Sequence, residues 1–181
     1  SSASLMCCVP FNAAFSALAS GMAAAPMNWW WDRHVERHNL WKCFRGPALF
    51  AAALERLATL DGPGNLRQLT NDAEAARGVR VLGRVGKRGV CVWVQDRRST
   101  WARLLERKED APPEVKDLEL RLPALMPGAY LLRFVDTWKG EDIGELQNLK
   151  IDEAKDGAAK GVILKCPAFR RDIAVIIERL R

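Results

Sequence analysis

The stretch Val79-Arg-Val-Leu-Gly-Arg-Val85, continued by Gly86-Lys-Arg-Gly-Val-Cys-Val-Trp-Val-Gln95, decides the fold class of this chain. Residues 79–85 and 89–95 are rich in β-branched side chains, and Gly86-Lys-Arg-Gly89 suits a short hairpin connection between them. On the second strand Val90, Val92 and Val94 share one face, with Cys91, Trp93 and Gln95 on the other. Gly83, Gly86 and Gly89 are hairpin and bulge glycines. They do not form a phosphate loop, since no helix follows them.

Downstream, residues 118–122, 129–136, 148–151, 161–165 and 172–178 read as further strands, about seven in all. Pro123, Met126-Pro-Gly128, Lys139-Gly140, Asp156-Gly157 and Pro167 punctuate them, and the pattern predicts an antiparallel β-sandwich. Upstream, Asp61-Gly-Pro-Gly-Asn65 is the strongest boundary, where the apolar period changes from helical to alternating. Phe11, Ala14, Phe15 and Leu18 recur at helical spacing with Gly21 as a stop. Pro26 to Trp31 reads as a short buried strand ending near Asp32, and residues 33–39 as a polar loop. Residues 40–60 form the clearest helix, with Phe44, Ala48, Leu49, Ala52, Ala53, Arg56 and Leu57 on its face, although Gly46-Pro47 should break or restart it. Helix, strand, loop and helix make a βα unit with the preceding helix attached. The expected organisation is thus α+β and mostly β, with a βα segment over 1–60 and a sandwich over 61–181.

A chain of 181 residues, 49% hydrophobic and 28% charged, buries a real core and is not disordered. The net charge of +6 concentrates between Gly78 and Glu109, where Arg80, Arg84, Lys87, Arg88, Arg97, Arg98, Arg103, Arg107 and Lys108 face only Asp96, Glu106 and Glu109. Such a face attracts polyanions. A solvated sandwich surface is the preferred reading, because no recognition motif accompanies the charge, and nucleic acid is not an expected partner. The five cysteines are odd in number and lack a CxxC, which indicates neither a disulfide framework nor a zinc site; buried free thiols are expected. Residues 1–31 carry no charge but also no basic n-region, and Pro10, Asn12, Gly21, Pro26 and Asn28 interrupt any membrane span. No signal peptide and no membrane span are read there.

Four stretches, in order, resemble one family. Ser20-Gly-Met-Ala-Ala-Ala-Pro-Met-Asn-Trp-Trp-Trp-Asp32 is similar to the last-strand signature of bacterial (β/α)₈-barrel glycoside hydrolases of the cellulase and mannanase clan. The similarity runs on through Asn39-Leu-Trp41 and the helix to Phe50, which resembles the final barrel helix. Val92-Trp-Val-Gln-Asp-Arg-Arg-Ser-Thr-Trp101 resembles the first hairpin of that family's C-terminal sandwich, and Pro167 to Val175 its closing strand. Gly128-Ala-Tyr-Leu-Leu-Arg-Phe-Val-Asp-Thr-Trp-Lys-Gly140 resembles its G-x-Y-x-x-x-x-x-D-T-W-x-G strand and turn. The resemblance implies the end of a barrel followed by a buttressing sandwich, in a secreted or periplasmic protein. It also implies that the two catalytic glutamates lie on earlier barrel strands, outside this chain, so no catalytic residue is carried over.

Retaining glycoside hydrolysis needs two carboxyls about 5 Å apart. In the barrel-like segment only Asp32 falls at the end of a strand, where barrel enzymes place their sites, and a lone carboxylate is insufficient. The resemblance makes Asp32 a substrate-contacting or loop-fixing candidate. Trp29 and Trp31 point the same way on a strand, and an indole stacks well on a sugar face; packing between strand and helix is the competing use. Asp32, His34, Glu36 and His38 alternate without a known metal spacing, and Cys43 with His34 or His38 lacks an orienting third group. No metal or cofactor is expected. Asp136-Thr-Trp138 reads as a turn in which Asp136 caps and Trp138 packs.

These readings predict a glycan-cleft wall built from Trp29, Trp31 and Asp32, inactive alone, whose partners are a poly- or oligosaccharide and a companion chain or second copy. A carbohydrate-binding module using Trp93 or Trp101, and a polyanion-binding protein using residues 80–108, are the alternatives.

Overall fold

The hairpin at residues 79–95 becomes the middle of an antiparallel sheet. β2 (Val79–Val85) and β3 (Gly89–Asp96) pair from Val79 opposite Asp96 to Val85 opposite Val90. The structure is a computed structural model that describes residues 8–22, 31–70, 78–100, 103, 112–152 and 161–180. β9 (Asp172–Arg179) lies beside β3, and β5 (Gly128–Asp136) beside β9. Two short strands, β6 (Glu141–Asp142) and β7 (Gln147–Ile151), share the far edge of β5, and β1 (Arg67–Thr70) closes the opposite edge against β2. These seven strands form one sheet, and β4 (Glu119–Leu122) and β8 (Val162–Lys165) form a separate two-stranded ribbon.

β3 is buried along its whole length because both faces of the sheet are covered. Val90, Val92 and Val94 face the ribbon, packing in one cluster with Leu120, Leu122 and Leu164. Cys91 and Trp93 face the other way, into a cluster with Phe11 and Phe15 of α1 (Cys8–Ala19) and Phe50, Ala53 and Leu57 of α2 (Arg45–Asp61). The period-two split read from the sequence is therefore the split between two cores.

All seven expected strands occur, with ends displaced by at most a residue. β1 and β6 are additional. In β1 only Leu69 is even partly buried and β6 has two residues, so neither carries an apolar alternation. The second layer is a two-stranded ribbon, narrower than a full sandwich sheet, and helices cover the opposite face of the large sheet.

The helical segment needs three corrections. Residues 26–30 of the expected strand lie outside the described residues, but its end does not: Trp31–Glu36 forms a π-helical turn. Val35 and Leu40 are linked by a hydrogen bond from Leu40 N to Val35 O at 2.8 Å, and both are buried with Cys43. That wide turn brings Val35 into the small apolar cluster. Second, Gly46-Pro47 starts the α-helix instead of breaking it. A 3₁₀ turn over Trp41–Phe44 leads into α2, and Pro47 falls in the first α-turn, where its missing N–H leaves no bond unmade. Third, the buried face is Gly46, Pro47, Phe50, Ala53 and Leu57, while Ala48 and Arg56 are exposed. Arg56 instead reaches Glu178 at 2.7 Å.

Candidate functional site

The turn after β5 fastens the helices to the sheet. Asp136 Oδ1 accepts the backbone N–H groups of Trp138 and Lys139, both at 3.0 Å, and the Asp136 carbonyl accepts from Gly140 N at 2.8 Å. This is the capped turn that the sequence predicts. Gly140 has φ 67°, and a Cβ there would lie 2.7 Å from Arg45 Cβ. A Cβ on Gly46 would sit 1.8 Å from the Thr137 carbonyl oxygen, so the first turn of α2 rests directly on the backbone of the turn.

Under that contact lies a buried acid. The Thr137 hydroxyl and, at 3.1 Å, the Trp138 indole N–H both donate to the Asp172 carboxyl, which is 3% exposed. Burial pushes Asp172 up to about 7, opposed by its Thr137 and Trp138 donors, by the Trp93 indole and by the charge of Arg171. The Trp138 ring is stacked on Phe11 at 4.4 Å, with the Arg171 guanidinium 4.6 Å from its centroid. A carboxyl poised near neutrality is also the mark of a general acid or base. Here protein donors occupy both of its oxygens, which assigns it to holding the turn.

The second feature is an exposed edge that starts where the strand was expected to end. Asp32 and Glu36 are exposed on the π-helical turn, one turn apart on nearly the same face. Trp41, 49% exposed, donates its indole N–H to Glu36 Oε2 at 2.6 Å, and Phe44 lies 6.3 Å away, tilted by 45°. Trp29 lies outside the described residues, and so does the side chain of Trp31; Asp32 is the one predicted site residue whose exposure is described. Sequence reasoning passed over Trp41. Its signal was an aromatic residue between Leu40 and Lys42, just before the buried helical face begins.

Other sequence readings change. Trp93 is fully buried against Phe15, with ring centroids 5.4 Å apart, and offers no platform to a glycan. Trp101 lies outside the described residues. Cys43 is disulfide-bonded, which overturns the free-thiol reading there and removes it as a nucleophile, whereas Cys91 and Cys166 are free and buried. Burial in an apolar layer pushes the Cys91 thiol far up.

Three of the nine bases of the basic stretch are engaged by the protein itself. Arg88 Nη1 donates to Leu60 O at 3.0 Å, Arg97 Nε to Val79 O at 3.2 Å, and Arg98 Nη2 to Asp96 at 2.7 Å. A groove of about 450 Å³ beside the turn is lined by Glu114, Asp136, Lys139, Glu141 and Asp142 among others. Asp136 caps the turn and Asp142 is held bidentately by Arg133 at 3.0 and 3.1 Å. Among the described residues no group of three His, Cys, Asp or Glu is placed to hold a metal ion.

Comparison with protein-family models and with curated proteins finds no match to this chain.

Proposed function

We propose that the chain is the C-terminal portion of a glycoside-hydrolase-like protein. In this reading the sheet is a rigid mount for residues 31–61, and the stretch Trp29–Asp32 lines a glycan cleft whose catalytic glutamates lie outside the chain. The observation that carries the reading is the lock between turn and helix: Gly46 seated on Thr137 O, and Asp172 taking both Thr137 and Trp138 as donors. A β-layer that only bound ligand by itself has no need to clamp a helix so closely, whereas one that supports a barrel end does. The motif resemblance supports the same assignment, and the disulfide at Cys43 suits a secreted or periplasmic setting.

The test is a hydrolysis assay of the purified chain on cellulose-, mannan- and xylan-derived oligosaccharides, alone and linked to a barrel bearing two carboxylates. The chain alone is expected to turn over none of them. Turnover by the chain alone would overturn the proposal, as would a linked barrel whose stability is indifferent to the chain.

A further inference from the structure

The chain has five cysteines, of which Cys91 and Cys166 carry no disulfide while Cys43 does. By elimination, the partner of Cys43 within the chain is Cys7 or Cys8. The packing at the start of α1 points the same way. Cys8 is the first residue of α1, and Phe11, one turn on and on the same face, is stacked on Trp138 at 4.4 Å. Trp138 in turn packs on the small apolar cluster of Val35, Leu40 and Cys43. Its ring thus bridges the first turn of α1 and the cluster that holds Cys43. Little else holds that cluster's own segment: among the described side chains of residues 31–44, only Val35, Leu40 and Cys43 are buried. A stretch with so few buried apolar groups opens before the core strands do.

We infer that a disulfide from Cys43 to the adjacent pair Cys7-Cys8 is a redox-sensitive latch, which holds residues 31–44 against the start of α1 and releases them on reduction while the sheet stays folded. The bond closes a loop of roughly 35 residues, so it removes much chain freedom from the opened state. Opening is a two-electron reduction by thiol–disulfide exchange with a dithiol. The dithiol attacks one sulfur of the bond as its thiolate, and the other Sγ leaves as a thiolate and takes up a proton. The dithiol's second thiol then closes its own cyclic disulfide and frees the remaining cysteine. Beyond residue 61 the only cysteines are Cys91 and Cys166, so reduction breaks no bond in the sheet, and the cores on either side of β3 are left intact. The inference stands apart from the hydrolase reading.

The test takes the purified full chain in its oxidised form. With thiols blocked by N-ethylmaleimide, tryptic peptide 43–45 is expected in disulfide linkage with peptide 1–33, which carries both Cys7 and Cys8. A blocked Cys43, or its linkage to peptide 89–97 or 166–170, overturns the inference. Amide hydrogen exchange, followed residue by residue by NMR, is then compared before and after reduction with dithiothreitol. The amides of Leu40 and Cys43 donate to Val35 O and Leu40 O at 2.8 and 2.9 Å. They are expected to exchange about tenfold or more faster after reduction, with the amides of β3 and β9 unchanged. Equal protection in both states, or a loss that extends to β3 and β9, overturns the latch. The C7S/C8S double variant, which leaves Cys43 in place, should match the reduced parent without any reductant. Protection in that variant equal to the oxidised parent's overturns the latch as well.

Discussion

Replacing Asp172 by Asn tests the buried lock directly. The carboxyl sits at the start of β9, takes donors from Thr137 and Trp138, and is raised by burial from the ordinary 3.8 to about 7. Below pH 3.8 it is neutral in both folded and unfolded chains and costs nothing. Between 3.8 and about 7 the unfolded chain releases its proton while the folded chain keeps it, so stability falls as pH rises through that window. Each pH unit of that interval is worth ~1.4 kcal/mol, which makes the full penalty above neutrality on the order of 4 kcal/mol. Asn removes the titration and keeps the bonding: its carbonyl accepts from the Trp138 indole and its amide donates to the Thr137 hydroxyl.

Urea unfolding of both proteins at pH 4.5, 6, 7 and 8.5 isolates this group, since all other titrations cancel in the difference. The variant's stability relative to the parent is expected to rise by about 3 kcal/mol from pH 4.5 to 8.5, with most of the rise complete near neutrality. A difference that stays flat across that range, within about 0.5 kcal/mol, would show that the folded chain carries an ionised Asp172, and the account of the lock as a neutral acid would fail.

Two further perturbations test the parts around it. Gly46→Ala places a methyl against the Thr137 carbonyl, a backbone collision that cannot be relieved by a rotamer, and should cost about 3 kcal/mol or more; a melting temperature within a degree or two of the parent's would refute the close seating of α2. Reduction with dithiothreitol, or Cys43→Ser, should lower stability by about 2–4 kcal/mol through the loss of the crosslink at Cys43, and identical urea midpoints with and without reductant would show that no such bond forms.

What could be read from the sequence was whatever repeats with a period. The alternating valines of β3 gave both of its faces, since each face has its own core, and the helical spacing of Phe11, Ala14 and Phe15 placed α1 correctly. What escaped depends on contacts between residues far apart in the chain. Gly46-Pro47 looked like a break because the reason for glycine there is the Thr137 carbonyl, 91 positions away. Phe50 was left off the helical face because charge and alanine content blur the stripe, and its burial is decided by Phe15 at 5.3 Å. Asp172 opens an apolar strand and gave no hint of its elevated pKa, which comes from its burial and is only partly offset by the Thr137 and Trp138 donors. At the exposed edge, where a strand end and a polar loop were read, residues 31 to 36 form a π-helical turn that buries Val35 with Leu40.

The same contrast bears on how the charge should be weighed. Nine bases against three acids between Gly78 and Glu109 looks like a ligand surface when counted along the chain. In space, Arg88 reaches a carbonyl of the last turn of α2, where a cation also complements the helix dipole, and Arg97 reaches the carbonyl of Val79 at the start of β2. Arg98 closes on Asp96, whose side chain is 1% exposed. A guanidinium with several donors in one plane suits that work, because it can satisfy carbonyls at the edges of packed elements without being buried itself. Three of the nine bases, Arg88, Arg97 and Arg98, are thus engaged by the protein itself.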